Sequence, residues 1–248
     1  MTANTSSSDR PGRERSDTER LIRARARGLL VEHGEKALTL RAIAAELGLT
    51  APALYRYFPS RAALVSAVCA DVCADLAHNL RTLIDRVPAS DPKARAAAAF
   101  RGFRTWALRH RAEFALVFGT PDEGGAGLRD QFGLVLMEVT GGMLASGRLA
   151  AAAPVAPAAA GPVLESLRDL LLSGLAEAGV PVERHLIRPD AIYLLLRCWI
   201  LLYGAVALEV FEKLAFLATD PEPLFDALLA EIADLLDHDP VAGTDGLG

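Results

Sequence analysis

Between positions 39 and 61 the chain carries Thr39, Arg41, Thr50, Tyr55, Arg56, Tyr57 and Arg61, side chains that can hold an anion or read a hydrogen-bonding edge. A hydroxyl makes single hydrogen bonds, whereas a guanidinium presents a planar fork that fits a phosphate or the guanine edge. Elsewhere the chain carries no metal-ligand motif, nucleophile elbow or Walker loop, and its aromatic residues lack paired acids at helical spacing. Recognition rather than catalysis is the chemistry on offer, so no cofactor, no metal and no enzymatic activity are expected.

The elements that must position these groups are short helices. In "TLRAIAAELGLTAPALYRYF" Thr39 is an N-cap candidate, and Leu40, Ile43, Ala44 and Leu47 form the apolar stripe of a helix of barely two turns, stopped by Gly48. Thr50 can cap the next helix, with Pro52 in its first turn, where a missing N–H costs little, and with Leu54 and Phe58 facing inward. A preceding helix reads from "SDTERLIRARARGLLVEHG": Ser16 and Glu19 make a capping-box signature, Ile22, Ala26, Leu29, Leu30 and His33 share a face, and Gly34 ends it. Three short helices with a tight turn between the second and third form a helix-turn-helix pattern; a generic helical hairpin with core aromatics is the competing reading.

Charge separates the two. The formal net charge is −5, but residues 10–61 hold 11 Lys+Arg against six Asp+Glu, while residues 62–248 hold 15 against 24. A basic end on an acidic body suits a polyanionic partner met at one end. In a helix-turn-helix the third helix enters the major groove, and its leading residues here are Thr50, Ala51, Pro52 and Ala53, which supply one hydroxyl and some apolar surface. Arg41 and Arg56 are the candidates for hydrogen bonds to guanine. Thr39, Tyr55, Tyr57 and Arg61 are assigned to phosphates, with Tyr55 directed outward because Leu54 and Phe58 already take the inward face.

The stretch "LTLRAIAAELGLTAPALYRYFPSRAALVSAV", Leu38 to Val68, resembles the amino-terminal DNA-binding domain of the TetR family of bacterial transcriptional repressors. The resemblance rests on Thr39, Ile43-Ala44, Gly48, Leu54-Tyr55, Tyr57-Phe58, Pro59, Ser60, Arg61 and Leu64. It implies DNA contacts at Thr39, Arg41, Thr50, Ala51, Pro52, Ala53, Tyr55, Arg56, Tyr57 and Arg61. Arg61 departs from the Lys more usual there but keeps the charge. "AFRGFRTWALRHRAEFALVFGTP" and "CWILLYGAVALEVF" are similar to a carboxy-terminal domain of a subset of the family, with Trp199, Tyr203 and Gly204 at its spacing.

The expected architecture is all-α: a three-helix helix-turn-helix domain followed by a larger helical ligand-binding and dimerisation domain. Residues 1–16 are expected to be a disordered basic lead-in, 17–62 the DNA-binding domain, 63–238 the ligand-binding and dimerisation domain, and 239–248 a flexible tail. After one long helix to Val87, helices are expected near 92–110, 112–119, 128–147, 162–178, 189–216 and 221–237, with loops at Gly119–Asp130 and Ala145–Val163. Phe100, Phe103, Trp106, Phe114, Phe118, Phe132 and Met137 either line a pocket for an apolar or aromatic ligand or form plain core. The candidate ligand set is Phe103, Trp106, His110, Phe114, Phe118, Met137, Trp199 and Tyr203, with Arg104, His110 and Arg197 as polar groups to fix such a ligand.

Cys69 and Cys73 share a helix face, but nothing completes a metal site around them, and with Cys198 they make too sparse a set for a disulfide framework. Ala191 to Phe211 is apolar enough for a membrane span, yet it carries Arg197 and Glu209, so a helix buried between helices is the simpler reading and the location is expected to be cytoplasmic. The family resemblance implies a homodimer through helices 189–216 and 221–237, and the apolar 189–216 together with the amphipathic 221–237 agrees with a four-helix bundle. Such a dimer would present two recognition helices to a palindromic operator. The expected function is a repressor released from DNA by a small molecule; an enzyme housed in the helical body and a DNA-binding scaffold with no small-molecule response are the alternatives.

Overall fold

The structure is a computed structural model, and it describes residues 10–119, 131–146, 155–214 and 220–237. The elements are α1 (Arg10–His33), a 3-10 turn (Glu35–Ala37), α2 (Leu40–Glu46), α3 (Ala51–Tyr55), α4 (Arg61–Ile84), α5 (Pro92–Arg109), α6 (Arg111–Phe118), α7 (Gln131–Ala145), α8 (Gly161–Glu177), α9 (Pro189–Val210) and α10 (Glu222–Asp237). No strand occurs among the described residues, and the fold is all-α. The expected tail at 239–248 lies outside the described residues, as do 120–130 and 147–154 of the two expected loops.

The chain divides into two units. The first comprises residues 1–73 and 112–121, the second 74–111 and 122–248. The first therefore runs past the boundary expected at 62/63, and it takes in a second stretch of chain. That stretch, most of α6, supplies Phe114, Leu116 and the carboxylate of Glu113, all buried, and Glu113 accepts a hydrogen bond from Arg27 on α1.

In the first unit Ile22, Ala26, Leu29 and Leu30 of α1 join Leu38, Leu40, Ile43, Leu54, Phe58, Leu64, Val68 and Val72 in the core. α1 begins at Arg10, so Ser16 is not its N-cap; residues 10–16, expected to be disordered, are helical, and Glu19 instead pairs with Arg15 one turn back. Residues 1–9 of the expected lead-in lie outside the described residues. Gly34 ends α1 with φ 76° and ψ 178°, a conformation open essentially to glycine alone.

In the second unit α5 packs on α7 and α9, α7 on α8, and α9 on α8 and α10. α7 and its neighbours approach closely: a Cβ on Gly141 would lie 2.3 Å from Val180 Cγ1. α4 and α9 are long and apolar enough to cross a membrane by length and composition. α9, however, packs against α5, α8 and α10 and holds Glu209 in a largely buried ion pair with Arg104. α9 stops at Val210 rather than near 216. Glu212 adopts φ 57°, and the Lys213 N–H bonds the Leu208 carbonyl at 2.7 Å, a left-handed helix stop. Arg111 holds it by donating to the Val210 carbonyl and to Glu212.

Candidate nucleic-acid interface

Local chemistry places the helix-turn-helix. Thr39 is extended, and its hydroxyl oxygen accepts from the Ala42 N–H at 3.2 Å, which starts α2. Gly48, with φ 64°, ends it: the Leu49 N–H returns to the Ala44 carbonyl at 2.9 Å and the Gly48 N–H to that of Ala45 at 3.3 Å. Thr50 then caps α3 through the Ala53 N–H at 3.3 Å, with Pro52 in the first turn. Both cap hydroxyls accept from the backbone and keep their O–H to donate. Leu54 is fully buried and Phe58 nearly so, while Tyr55 is 54% exposed. Arg41, Thr39, Thr50, Pro52 and Arg56 are exposed, and Ala51, Ala53 and Tyr57 are half-buried.

The electrostatics of this unit are selective. Arg15 pairs with Glu19, Arg20 with Asp17, Arg23 with Asp71, Arg25 with Glu46 and Glu32, and Arg27 with Glu113. The Glu46 hydrogen bonds hold the Arg25 guanidinium above its ordinary pKa range. Arg61 is also engaged. It donates to the Leu38 carbonyl at 2.9 Å and to the Glu35 carbonyl and carboxylate at 3.2 and 3.0 Å. Its guanidinium thus fastens the turn before α2, a use that the assignment to phosphate did not anticipate. Among the described side chains of this unit, Lys36, Arg41 and Arg56 are the cations that pair with no carboxylate. Lys36 was missed from sequence because it falls in a 3-10 turn with no periodic pattern around it.

The candidate ligand set is divided between the two units. In the second unit Phe103 stacks on Phe132 at 5.4 Å, Trp199 tilts against both at 6.0 and 6.3 Å, and Tyr203 lies 5.7 Å from Trp199. Trp106 stacks on His110 at 5.0 Å, and Met137 packs toward Gly174. Phe114 and Phe118 instead contact each other in the first unit, at 4.9 Å. Trp199 and Tyr203 are half-buried, and burial pushes the Tyr203 hydroxyl pKa upward.

Arg104, expected as a ligand group, is already taken. Nε and Nη2 both lie 2.7 Å from Glu209 oxygens, side-chain exposures are 12% and 10%, and the guanidinium sits 4.8 Å from the Phe225 ring centroid. The hydrogen bonds to Glu209 hold Arg104 above its ordinary pKa range against the pull of burial. An apolar groove of about 330 Å³ runs between α9 and α10, edged by Ile200, Gly204, Leu208, Leu224 and Phe225; Trp106 does not border it.

Residues 22–68 match the family described as bacterial regulatory proteins, tetR family, and residues 96–232 match the Tetracyclin repressor-like C-terminal domain. The chain belongs to the TetR family. Among its relatives are HTH-type transcriptional regulators of Mycobacterium bovis and Mycobacterium tuberculosis, 31% identical over 226 residues, spanning 86% of this chain and 92% of each relative. Two solved structures share the fold. One, SCO4313, is described as a regulatory protein (TM-score 0.61, 24% identity, 90% of this chain and 98% of that one). The other, from Rhodococcus sp. RHA1, has no known function (TM-score 0.58, 20% identity, 88% and 92%).

This TetR-family chain is a DNA-binding transcriptional regulator. All ten of its candidate DNA contacts fall inside the amino-terminal match, and Trp199, Tyr203 and Gly204 fall inside the carboxy-terminal one.

Proposed function

We propose that the chain acts as a homodimeric repressor that binds a palindromic operator through α2 and α3 and is released by a small apolar or aromatic molecule. One observation carries the DNA face: Arg41 and Arg56 stay exposed and unpaired while the arginines of α1 from Arg15 to Arg27, and Arg61, are matched to carboxylates. Unpaired guanidiniums beside the exposed Tyr55 and the cap hydroxyls of Thr39 and Thr50 can reach phosphates and guanine edges without first breaking an ion pair. Ala51, Pro52 and Ala53 add apolar contact suited to a thymine methyl.

The dimer rests on the outer face of α9 and α10. Ile200, Leu208 and Leu224 are 58, 45 and 55% exposed around the groove, an apolar surface that a second copy would cover. Two-fold symmetry then sets half-sites apart by about 34–36 Å or a multiple of it. The effector would be met by Phe103, Phe132, Trp199 and Tyr203, whose half-buried Tyr203 hydroxyl offers one polar anchor. Release requires that the effector bind the DNA-free state more tightly than the DNA-bound one. As a regulator of this kind, the chain would work in the cytoplasm.

DNA fragments selected by the purified protein, once sequenced, should share an inverted repeat. Binding to that repeat should weaken steeply as salt rises, and Arg56→Ala with Tyr57→Ala should abolish it. Selection of fragments with no common repeat, or binding indifferent to salt, would overturn the reading. Trp106 and Trp199 are the chain's two tryptophans, so compounds that release the operator should also change the fluorescence of a Trp106→Phe variant, in which Trp199 reports alone.

A further inference from the structure

Arg15 sits in the amino-terminal part of α1, outside both the helix-turn-helix and the ten candidate contacts. Its Nη2 donates to the backbone carbonyl of Arg56 at 3.3 Å, across 41 residues of chain, and its guanidinium carbon lies 5.8 Å from the Tyr57 ring centroid. Glu19, one turn along α1, accepts from Arg15 Nε at 3.0 Å and so aims the fork. The carbonyl it meets belongs to the C-cap of α3, a helix of only five residues. So short a helix has no stability of its own, and its last carbonyls are left without intrahelical partners. A cation at that end satisfies one of them and meets the negative end of the helix dipole.

We infer that Arg15 is a positioning residue for DNA reading: held by Glu19, it fixes the C-terminal end of α3 and thereby the direction in which Arg56 and Tyr57 leave the backbone. This rests on the reading that Arg56 and Tyr57 face the duplex. It separates Arg15 from a phosphate contact in a way that can be measured. A phosphate contact acts through its charge, is replaced by lysine, and on removal lowers the slope of log affinity against log salt by about one. A positioning guanidinium acts through its planar fork, which lysine lacks, and leaves the slope unchanged.

The test uses the full-length protein and the operator it selects, with affinity measured across a salt series for wild type, Arg15→Ala, Arg15→Lys, Glu19→Gln, Arg56→Ala and Arg15→Ala/Arg56→Ala. Arg15→Ala should weaken operator binding about tenfold, with the salt slope and thermal midpoint unchanged. Arg15→Lys should not restore it, and Glu19→Gln should weaken binding in the same direction by less. Discrimination between operator and scrambled DNA should fall, and the double variant should be little worse than Arg56→Ala alone, because the clamp acts through that residue. A slope lowered by about one with rescue by lysine would make Arg15 a phosphate contact and overturn the inference, as would strict additivity with Arg56→Ala. If Arg56→Ala weakens binding and Arg15→Ala does not, the inference fails while the DNA face stands. If Arg56→Ala itself has no effect, the DNA face fails and the inference falls with it.

Discussion

The two units differ in what their charges leave over for a partner. In the first, arginines and carboxylates cover the surface in many partly exposed pairs, and the pairing sorts cations into those committed to the fold and those left for a partner. In the second, apolar helices dominate, and a bidentate pair, Arg104 with Glu209, is largely withdrawn from solvent between α5 and α9 against Phe225. Surface pairs contribute little to stability individually, whereas a buried pair is costly to break because the survivor is stranded. Charge fastens the fold in both units, through Arg27 with Glu113 and Arg61 with Glu35 in the first and Arg104 with Glu209 in the second, and in the first it also leaves Arg41 and Arg56 exposed and unpaired.

The largest effect expected from this contrast is Arg104→Ala, which leaves the largely buried Glu209 without its partner and should cost about 3 kcal/mol in urea unfolding. Arg20→Ala, which removes an exposed pair in the first unit, should cost less than about 1 kcal/mol in the same measurement. Equal losses would erase the distinction between the units.

Next in size is a pH effect confined to the second unit. Burial in α9 pushes the Cys198 thiol up to about 11, above its ordinary value of 9.0. A folded pKa raised above the unfolded one means stability that is complete below about pH 9 and lost as pH climbs toward 11, amounting to about 2–3 kcal/mol. Thermal midpoints measured from pH 8 to 11 should fall less steeply in Cys198→Ala than in wild type. At neutral pH Cys198 should resist thiol reagents in the folded protein.

What the first unit leaves over for a partner is tested by Arg41→Ala, which should cost about 1–3 kcal/mol of operator affinity with folding unchanged. Arg20→Ala, whose cation is already paired, should change operator affinity by much less. Thr39→Ala, which removes the α2 cap, should lower stability by about 1 kcal/mol, read by thermal unfolding.

Much of the first unit was legible in the sequence because its turns are set by local chemistry. Thr39 and Thr50 cap the helices that follow them, Gly34 and Gly48 take the left-handed conformations that end the helices before them, and Leu54 and Phe58 turn inward as their spacing requires. The capping box at Ser16 was misread because Glu19 has a competing local partner: it pairs with Arg15 at i, i+4, and the helix runs through to Arg10. In the second unit helix positions were legible, but contacts between helices were not. An aromatic stripe reads the same whether its rings meet each other, as Phe103 and Phe132 do, or a ligand. Arg104 was read as a ligand group because Glu209 lies 105 residues away.

The starts of α2 and α3, the tight turn and the segregation of positive charge toward one end were determined by the sequence alone, since each depends on residues within a few positions or on simple counting. Only the tertiary structure decided which cations remain available. Arg25, Arg23 and Arg27 find carboxylates 21, 48 and 86 residues along the chain, and Arg61 is drawn to Glu35 and Leu38. Ion pairing depends on distance in space, so the sequence could pick out Arg41 and Arg56 by their place in the helices, but only the packed helices show that they stay unpaired while Arg61 does not.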